Sequence, residues 1–438
     1  MDITPPLGSP LAGYFRYRAA DGMWDPLELN ALAVSDGENT AVVVTADILM
    51  ASEAYMTEIR GKISERLGIS PDHLLLQGLH QHTSVYLGAA KNAPASPNKF
   101  YDEAYLSVLE RKFGDVVQMA MDDMAEGEMY LAEKETAEPI SFIRRFRMKD
   151  GSSSTNPGNL NPDIVHPIGE ADNTVRLVKF VREGKKDIAL VAFQTHPDVI
   201  SGTKYSADWP GFVRRMTEQD IPGTHCILVN GAQGDVNHVD VTKPPVAVKG
   251  DPLLKQKKYD NSRRMGRIIT DTVLKIWETA EKAESGKVSG SVKMIYIPTN
   301  TKYMDRVEEF REKKRALDAG TLKLPLDAMG EVNRVIALPE ETLFRKVPVS
   351  VVGFGKVVIA GFGGEPFTRY AIETRAAHPD LFVLTACCAN GGQGYLPTLE
   401  AFEEGGYEAR SSRFTPSVAT ELPAAAIAMI DCHKKFNQ

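Results

Sequence analysis

The stretch Leu74-Leu-Leu-Gln-Gly-Leu-His80-Gln-His82-Thr-Ser84 is an apolar run that ends in two histidines separated by one residue. A short apolar run is typical of a buried strand, on which alternate side chains point to the same face. The pattern therefore predicts that His80 and His82 reach one face of the strand together. Neutral imidazoles are common ligands of Zn²⁺, Cu²⁺ and Fe²⁺, so the pair is a candidate metal site. Such pairs also occur by chance in ordinary strands, and the metal hypothesis therefore depends on residues elsewhere in the chain.

The strand before His80 closes a unit of local structure whose order recurs twice more. Residues 27–47 predict two strands around the turn Ser35-Asp-Gly-Glu38, and a helix then leads to the strand that ends at His80. The same order of hairpin, helix, strand and polar loop is predicted over 174–235 and again from about 347 to 395. We therefore predict an α/β fold with mixed sheets, in which three related hairpin-helix-strand units surround a metal crevice and helical insertions lie between them.

Polar side chains follow the predicted strands of all three units. In sheets crossed by helices, the loops beyond the carboxyl ends of the strands converge on the ligand crevice. The residues that we expect to meet there are His80, His82, His196, Asp235, Glu365 and Tyr395.

Three of these residues also have a simpler structural interpretation. His196 follows a buried strand, where a histidine is more often a hydrogen-bonded core residue than a ligand, although a position opposite His80 favours a ligand. Glu365 leaves a strand at a glycine turn and precedes a helix, so it could instead be a carboxylate favoured by the helix dipole. Tyr395 could simply pack against its neighbours.

The remaining segments fit one domain over residues 1–438. A charged helical insertion is predicted over about 284–345. Two loops rich in glycine and proline, over 90–99 and 151–169, are long enough that we expect them to be functional or mobile.

Composition is that of an ordinary soluble globular protein. The formal net charge is −7 and no basic stripe occurs, so we expect no nucleic-acid partner. The four cysteines, Cys226, Cys387, Cys388 and Cys432, show no C-x-x-C spacing, which favours free thiols over disulfides or a thiolate zinc site. No apolar segment reaches the roughly 18 residues of a membrane span, and the N-terminus lacks the pattern of a signal peptide. We expect a cytoplasmic protein, or a secreted or periplasmic one if Met1 replaces a removed signal peptide.

Several short motifs, spread over nearly the whole chain, occur in a specific order. They are Asp2-Ile-Thr-Pro-Pro6, Leu11-Ala-Gly-Tyr14, His80-Gln-His82, Gln233-Gly-Asp235, Gly364-Glu365, Tyr395 and Tyr407-Glu-Ala409. Together they resemble the catalytic domain of the neutral/alkaline, non-lysosomal ceramidases. The resemblance implies one zinc ion held by His80, His196, Glu365 and Tyr395. It also implies that His82, Arg144 and Tyr407 lie around the reacting bond.

The chain departs from that family in two ways. Where the family has G-D-V-S-P-N, this sequence reads Gly234-Asp-Val-Asn237-His238-Val239, so Asn237 replaces the serine to which a catalytic or substrate-orienting role is assigned. A mechanism that depends on this serine is therefore excluded at that position. The chain also shows neither the secretion signal nor the C-terminal immunoglobulin-like domain of the ceramidases, and so resembles a short bacterial branch.

The resemblance implies a zinc-dependent hydrolase that cleaves an amide bond with metal-activated water. Asn237, Arg144 and the missing lipid-linked features favour a small-molecule substrate that is smaller and more polar than ceramide. His82 would transfer protons, and Tyr407 and Arg144 would stabilise the developing oxyanion or hold a polar substrate group. Asn237 would orient the carbonyl. Two alternatives stay open, namely a lactone or ester hydrolase with the same metal chemistry and a non-catalytic zinc-containing binding protein.

Overall fold

The computed structural model describes residues 1–88 and 102–437. Its helices, numbered in chain order, are α1 (Glu53–Leu67), α2 (Glu103–Asp122), α3 (Asp208–Asp220), α4 (Leu254–Trp277), α5 (Val307–Asp318), α6 (Leu326–Ala337), α7 (Thr368–Ala377), α8 (Leu399–Glu404), α9 (Tyr407–Ser411) and α10 (Val418–Phe436). Its strands are β1 (Gly22–Met23), β2 (Leu29–Ser35), β3 (Thr40–Ala46), β4 (Met50–Ala51), β5 (Leu74–Gly78), β6 (Tyr86–Leu87), β7 (Gly127–Glu135), β8 (Phe142–Ile143), β9 (Arg145–Met148), β10 (Ser153–Thr155), β11 (Ile164–Pro167), β12 (Thr174–Arg182), β13 (Asp187–Phe193), β14 (Lys204–Tyr205), β15 (Thr224–Asn230), β16 (Val236–Asn237), β17 (Glu281–Lys282), β18 (Val288–Pro298), β19 (Phe344–Phe354), β20 (Val357–Phe362), β21 (Glu365–Pro366), β22 (Phe382–Ala386) and β23 (Tyr395–Leu396).

The three predicted units are present, and they share one pattern of strand pairing. In the first unit β2 and β3 form an antiparallel hairpin, and β3 then takes β5 as a parallel neighbour. The strands β12, β13 and β15 repeat this arrangement in the second unit, and β19, β20 and β22 repeat it in the third. A parallel neighbour requires a crossover, which α1, α3 and α7 provide in the three units. The predicted α/β class with mixed sheets and three related units is confirmed.

The three sheets pack against a common apolar core. Its members come from every unit, and they include Leu32, Val43, Leu75, Val178, Leu190, Ile227, Val352, Ile359 and Leu384. Helices cover the outer faces: α1 and α2 lie on the first sheet, α3 and α4 on the second, and α7 and α10 on the third. The inner strands are therefore buried on both faces, which explains why they read in the sequence as continuous apolar runs.

The region predicted as a helical insertion over 284–345 is only partly helical. Strand β18 pairs antiparallel with β19 along its whole length, and the helices α5 and α6 follow it. The two helices pack through a small apolar cluster of Val307, Phe310, Val332, Val335 and Leu338. Strand β18 was not predicted because it lies at the edge of its sheet and is only partly buried, so it lacks a continuous apolar run.

The two predicted loops have different outcomes. The segment 151–169 contains β10 and β11, both of which pair with β9, so it is partly a small sheet. The loop predicted over 90–99 lies outside the described residues.

The cysteine prediction is confirmed. All four thiols are free, and Cys226, Cys387 and Cys388 are buried, while Cys432 is exposed. Among the described residues, we find no helix with the length and apolar character needed to cross a bilayer.

Asp208, at the start of α3, is a buried carboxyl group whose charged form is disfavoured. The backbone N–H groups of Ile200 and Trp209 donate to it at 3.0 and 2.7 Å. Burial outweighs these bonds and raises the pKa of Asp208 to about 6. The unfolded chain has the ordinary carboxyl pKa of about 4, so the folded protein binds this proton more tightly. Asp208 therefore lowers the free energy of unfolding as the pH rises from about 4 to 6.

We expect Asp208→Asn to lack this loss of stability. Relative to wild type, the free energy of unfolding of the variant should rise by roughly 2–3 kcal/mol between pH 4 and pH 7. Denaturant unfolding of both proteins at both pH values measures the change. The exposed substitution Asp305→Asn is the matched control. A pH-independent difference between Asp208→Asn and wild type would contradict the raised pKa.

Candidate metal centre

His80 and His82 lie beyond the end of strand β5. The strand ends at Gly78, and His80 has a φ of 77°, a left-handed conformation that non-glycine residues rarely adopt. The backbone N–H of His80 donates to the Ile48 carbonyl at 2.9 Å and holds the turn. The prediction that strand alternation places both rings on one face is therefore wrong. A strained turn brings the rings together instead, with centroids 5.2 Å apart.

Backbone carbonyl groups orient the rings of two histidines. His80 Nδ1 lies 3.0 Å from the Leu49 carbonyl oxygen, and His196 Nδ1 lies 3.3 Å from that of Gln233. A carbonyl oxygen only accepts, so both rings donate their Nδ1 hydrogen and keep a lone pair on Nε2. Metal-binding histidines are commonly oriented in this way. His196 is not a satisfied core residue, because its buried Nε2 has no hydrogen-bond partner.

Glu365 meets both imidazoles through a two-residue strand. The strands β21 and β23 pair in parallel, which places Glu365 beside Tyr395. Glu365 Oε2 lies 3.2 Å from His80 Nε2 and 3.8 Å from His196 Nε2. The sequence left open that Glu365 is the carboxylate at the start of helix α7. Asp235 has that position, because its Oδ1 accepts the first backbone N–H of the helix at 2.7 Å.

The donor atoms of this cluster fit a divalent metal ion. One ring nitrogen from each of His80, His82 and His196 lies within 4.8 Å of the others, and all three residues are buried. Both ring nitrogens of His82, His196 Nε2 and Glu365 Oε2 lack hydrogen-bond partners. With the proton on Nδ1, the short contact from His80 Nε2 to Glu365 Oε2 brings two lone pairs together, which is favourable only with a cation or a proton nearby. Imidazole nitrogen and carboxylate oxygen are ligands that Zn²⁺ takes.

The electrostatics of the cluster leave its ligands in their metal-binding forms. Burial lowers the pKa of His82 to about 3, and the neighbouring His80 adds to the effect. Burial and Arg144 hold the pKa of His196 well below its ordinary value. Burial raises the pKa of Glu365, but His80 and Arg144 outweigh it, so the net shift is downward. At neutral pH the two imidazoles are therefore uncharged and the carboxylate is ionised.

Arg144 organises a second group of side chains beside Tyr395. Its guanidinium carbon lies 5.2 Å from the centre of the Tyr395 ring, and the Tyr407 ring lies 5.4 Å from that of Tyr395. Arg144 Nε is 2.7 Å from Glu408 Oε1, and Arg144 Nη2 donates to the Gly234 carbonyl at 2.7 Å. Burial raises the pKa of Tyr407 to about 12, although Arg144 opposes the shift. The phenol of Tyr407 therefore stays protonated and available as a donor.

Burial likewise raises the pKa of Tyr395 well above its ordinary value, while Arg144 lowers it. A cation in the cluster acts in the same direction as Arg144 and favours the ionised phenol.

Asn237 differs from the other predicted site residues. Its Nδ2 donates to Asn156 Oδ1 at 2.8 Å, and its Oδ1 accepts the backbone N–H of Val239 at 2.9 Å. Among the described residues, these are the hydrogen bonds of the Asn237 side chain, and neither involves the histidine cluster. The structure thus brings together seven of the eight predicted site residues. The eighth, Asn237, forms its hydrogen bonds with other residues, Asn156 and Val239.

A hairpin near the N-terminus contacts the site, which the sequence did not predict. Tyr14 packs edge-on against the His82 ring with centroids 5.2 Å apart. Arg18 lies over the Tyr14 ring, with its guanidinium carbon 4.2 Å from the centroid, and its Nη2 donates to the His82 carbonyl at 2.7 Å. On the other side, Phe15 packs edge-on against Tyr407 with centroids 6.2 Å apart. The motif Leu11-Ala-Gly-Tyr14 was the available signal, but it carries no information about which side chains it would meet.

Breaking the Arg144–Glu408 pair should destabilise the fold. Glu408 is fully buried and also accepts from Thr155 Oγ1 at 2.7 Å. Removing one partner of a buried ion pair leaves the other charge uncompensated. We expect Glu408→Gln to lower the free energy of unfolding by roughly 3 kcal/mol, measured by denaturant titration. The exposed Arg369–Glu373 pair supplies a control, and Glu373→Gln should leave the unfolding midpoint almost unchanged. Equal effects of the two variants would show that Arg144 does not depend on Glu408.

Comparisons with known proteins relate this geometry to a fold. No protein-family model and no curated protein sequence matches the chain. Among solved structures, the neutral ceramidase from Pseudomonas aeruginosa is similar at a TM-score of 0.70 and 16% identity, over 98% of this chain and 73% of that one. A ceramidase complexed with C2 is similar at a TM-score of 0.71 and 15% identity, over 99% of this chain and 74% of the other. The fold that the sequence motifs implied is therefore confirmed.

Proposed function

We propose that the protein is a zinc-dependent hydrolase that cleaves an amide bond in a substrate smaller and more polar than ceramide. The observation that carries the proposal is the buried cluster of His80, His196 and Glu365, in which His196 Nε2 and Glu365 Oε2 have no hydrogen-bond partner and Glu365 Oε2 lies 3.2 Å from His80 Nε2. The cluster lies in a chain that has the fold of ceramidase structures. Catalytic zinc sites in proteins usually have about three protein ligands. A coordination position on the metal then stays open for the reacting water or the substrate.

The proposed ligands are His80, His196, Glu365 and Tyr395. When bound, zinc lowers the pKa of a water molecule to about 7 and polarises the substrate carbonyl. The Leu49 and Gln233 carbonyl groups hold the Nδ1 hydrogens of the two imidazoles, which leaves both Nε2 lone pairs available to a metal ion. Glu365 contributes the negative charge that a divalent cation requires in a buried site.

His82 is assigned to proton transfer. Both of its ring nitrogens are buried without hydrogen-bond partners, and the lowered pKa keeps the ring neutral. A neutral imidazole accepts a proton from the attacking water and returns it to the leaving nitrogen. Contacts with Tyr14 and the Arg18 guanidinium hold the residue in place during both steps.

Arg144 and Tyr407 are assigned to the developing negative charge on the substrate oxygen. Arg144 is fixed by Glu408 and by the Gly234 carbonyl, so it needs no reorientation during the reaction. A preorganised donor of this kind is worth about 3 kcal/mol of transition-state stabilisation. For Asn237, the proposed role in orienting the carbonyl uses its second amide hydrogen, since the first is donated to Asn156.

The test is metal analysis coupled to a hydrolysis screen. The purified protein should contain about one zinc ion per chain and should hydrolyse N-acyl amines. Chelation should abolish the activity, and added Zn²⁺ should restore it. Turnover of esters or lactones alone would replace the amide assignment with the alternative bond class. Stoichiometric zinc without turnover of any acyl compound would instead favour a binding protein.

A further inference from the structure

A cavity of about 750 Å³ lies beside the histidine cluster and is lined by cationic side chains. Its walls come from the start of β19, from the loop before Tyr395 and from the start of α1. Three positively charged residues, Arg345, Lys346 and Arg413, contribute to the lining, together with one carboxylate, Glu53. In a chain whose formal net charge is −7, this is a local reversal of sign.

The charges around the cavity do not balance. Arg345 and Arg413 both pair with Glu341, the latter through Nη1 at 3.1 Å from Oε1. Glu53 is the other carboxylate, and it accepts from Thr57 Oγ1 at 3.0 Å. Three cations set against two carboxylates leave one positive charge uncompensated, which is the charge that a monoanion neutralises.

Arg345 is the least exposed of these three cations. Its side chain is only 14% exposed, and its Nε donates to Gln393 Oε1 at 3.0 Å. Burial and the nearby Arg413 together lower the pKa of Arg345 to about 10, whereas its ion pair with Glu341 favours the charged form. The Arg413 side chain is 46% exposed, so a ligand can reach this pair from solvent.

The cavity also adjoins the residues that carry the candidate ligands. Leu49 lines it, and the Leu49 carbonyl orients the His80 ring. Gly13 lines it as well, and an added Cβ there would come within 2.6 Å of the His82 ring. The cavity therefore reaches the backbone against which both histidines pack.

We propose that this cavity binds an anionic group of the substrate, so that the preferred substrates are amides that bear a carboxylate. The inference rests on the proposed hydrolase function. Arginine and lysine side chains recognise carboxylates through charge-assisted hydrogen bonds. Glu341 already joins Arg345 to Arg413, so a substrate carboxylate would use the donors of Arg413 that Glu341 does not take, together with Lys346. A free anion that acts as an effector could bind this cavity through the same hydrogen bonds. The experiment below distinguishes a free anion from the carboxylate of the substrate.

The experiment compares N-hexanoylglycine with N-hexanoylethanolamine, which differ in a carboxylate and a hydroxymethyl group. We expect wild type to prefer the glycine conjugate, and Arg413→Gln to raise KM for that substrate about tenfold while leaving the ethanolamide unchanged. The control Arg311→Gln, on the exposed helix α5, should change neither KM. Equal effects of Arg413→Gln on both substrates, or none on either, would overturn the proposal.

Calorimetry with 4-oxononanoate, in which a CH₂ group replaces the amide NH of N-hexanoylglycine, provides a readout that does not require turnover. This ketone acid should bind wild type and Arg311→Gln, bind Arg413→Gln about tenfold more weakly, and compete with the glycine conjugate, while the metal content stays equal in all three proteins. Binding that depends on Arg413 but does not compete would identify an effector site and reject the substrate assignment. If no amide is turned over at all, the hydrolase function fails, and calorimetry still decides whether the cavity binds an anion.

Discussion

Replacement of His196 by alanine is expected to remove the bound metal and to lower the hydrolytic rate by a thousandfold or more, on the order of several kcal/mol of transition-state stabilisation. His196 is fully buried, its Nδ1 is held by the Gln233 carbonyl, and its Nε2 has no partner in the protein. The substitution removes one of the four proposed ligands. Elemental analysis and steady-state hydrolysis on the same preparation measure both effects.

The matched control is His225→Ala, which removes an exposed histidine from the same unit. It should keep metal content and activity at the wild-type level. Because His196→Ala also opens a small cavity, thermal unfolding of the variant establishes that the fold persists, and Glu365→Gln repeats the test with little change of volume. Full activity in a metal-free His196→Ala protein would refute the zinc mechanism.

Replacement of His82 by alanine is expected to separate metal binding from catalysis. If His82 transfers protons and does not bind the ion, the variant should retain about one metal ion per chain. Its kcat should fall by about 10²–10⁴-fold, the usual contribution of a general acid–base. The loss of kcat as the pH falls toward the His82 pKa of about 3 should also weaken, because the group that loses its proton-accepting form in acid is gone. Metal content, kcat and the pH profile together measure the result.

The opposite outcome is equally informative. A nitrogen of His82 lies within 4.8 Å of ligand nitrogens on His80 and His196, so His82 is also placed to bind the ion. Loss of metal in His82→Ala would assign His82 as a ligand and would move proton transfer to another group. His82→Gln keeps a polar side chain in the cavity but cannot take up the proton, so it should match His82→Ala in kcat if proton transfer is the role.

The fold was largely predictable because its signals are local. Two examples are the segment Leu74–Leu76 and strand β20, which pack against the common apolar core on one face and against helices on the other. Both faces are therefore apolar, and the sequence of each strand is a continuous apolar run. Turn residues such as Ser35 to Glu38 mark the hairpins between these strands. Strand β18 was missed for the converse reason, since an edge strand with an exposed face carries no such run.

Part of the site was predictable for the same reason. Polar residues at strand ends meet because the strands of all three units deliver them to one region of the fold, and His80, His196 and Glu365 follow that rule. The route was not predictable for His80, whose left-handed φ depends on a hydrogen bond to Ile48 in a different segment. No local pattern predicts that Glu408 would neutralise Arg144, since 264 positions separate them in the chain and neither lies in an apolar run.

By itself the sequence determined the order of the three units, the α/β class and the histidines at the ends of two strands. Each of these follows from hydrophobic periodicity and turn chemistry over a few residues, which short segments carry without help from the rest of the chain. Only the tertiary structure decided that Glu365 lies beside Tyr395, that the hairpin of Tyr14 packs on His82, and that two arginines share one carboxylate near the site. Those contacts join segments that are far apart in the chain, and they form because packing, not local propensity, selects which surfaces meet.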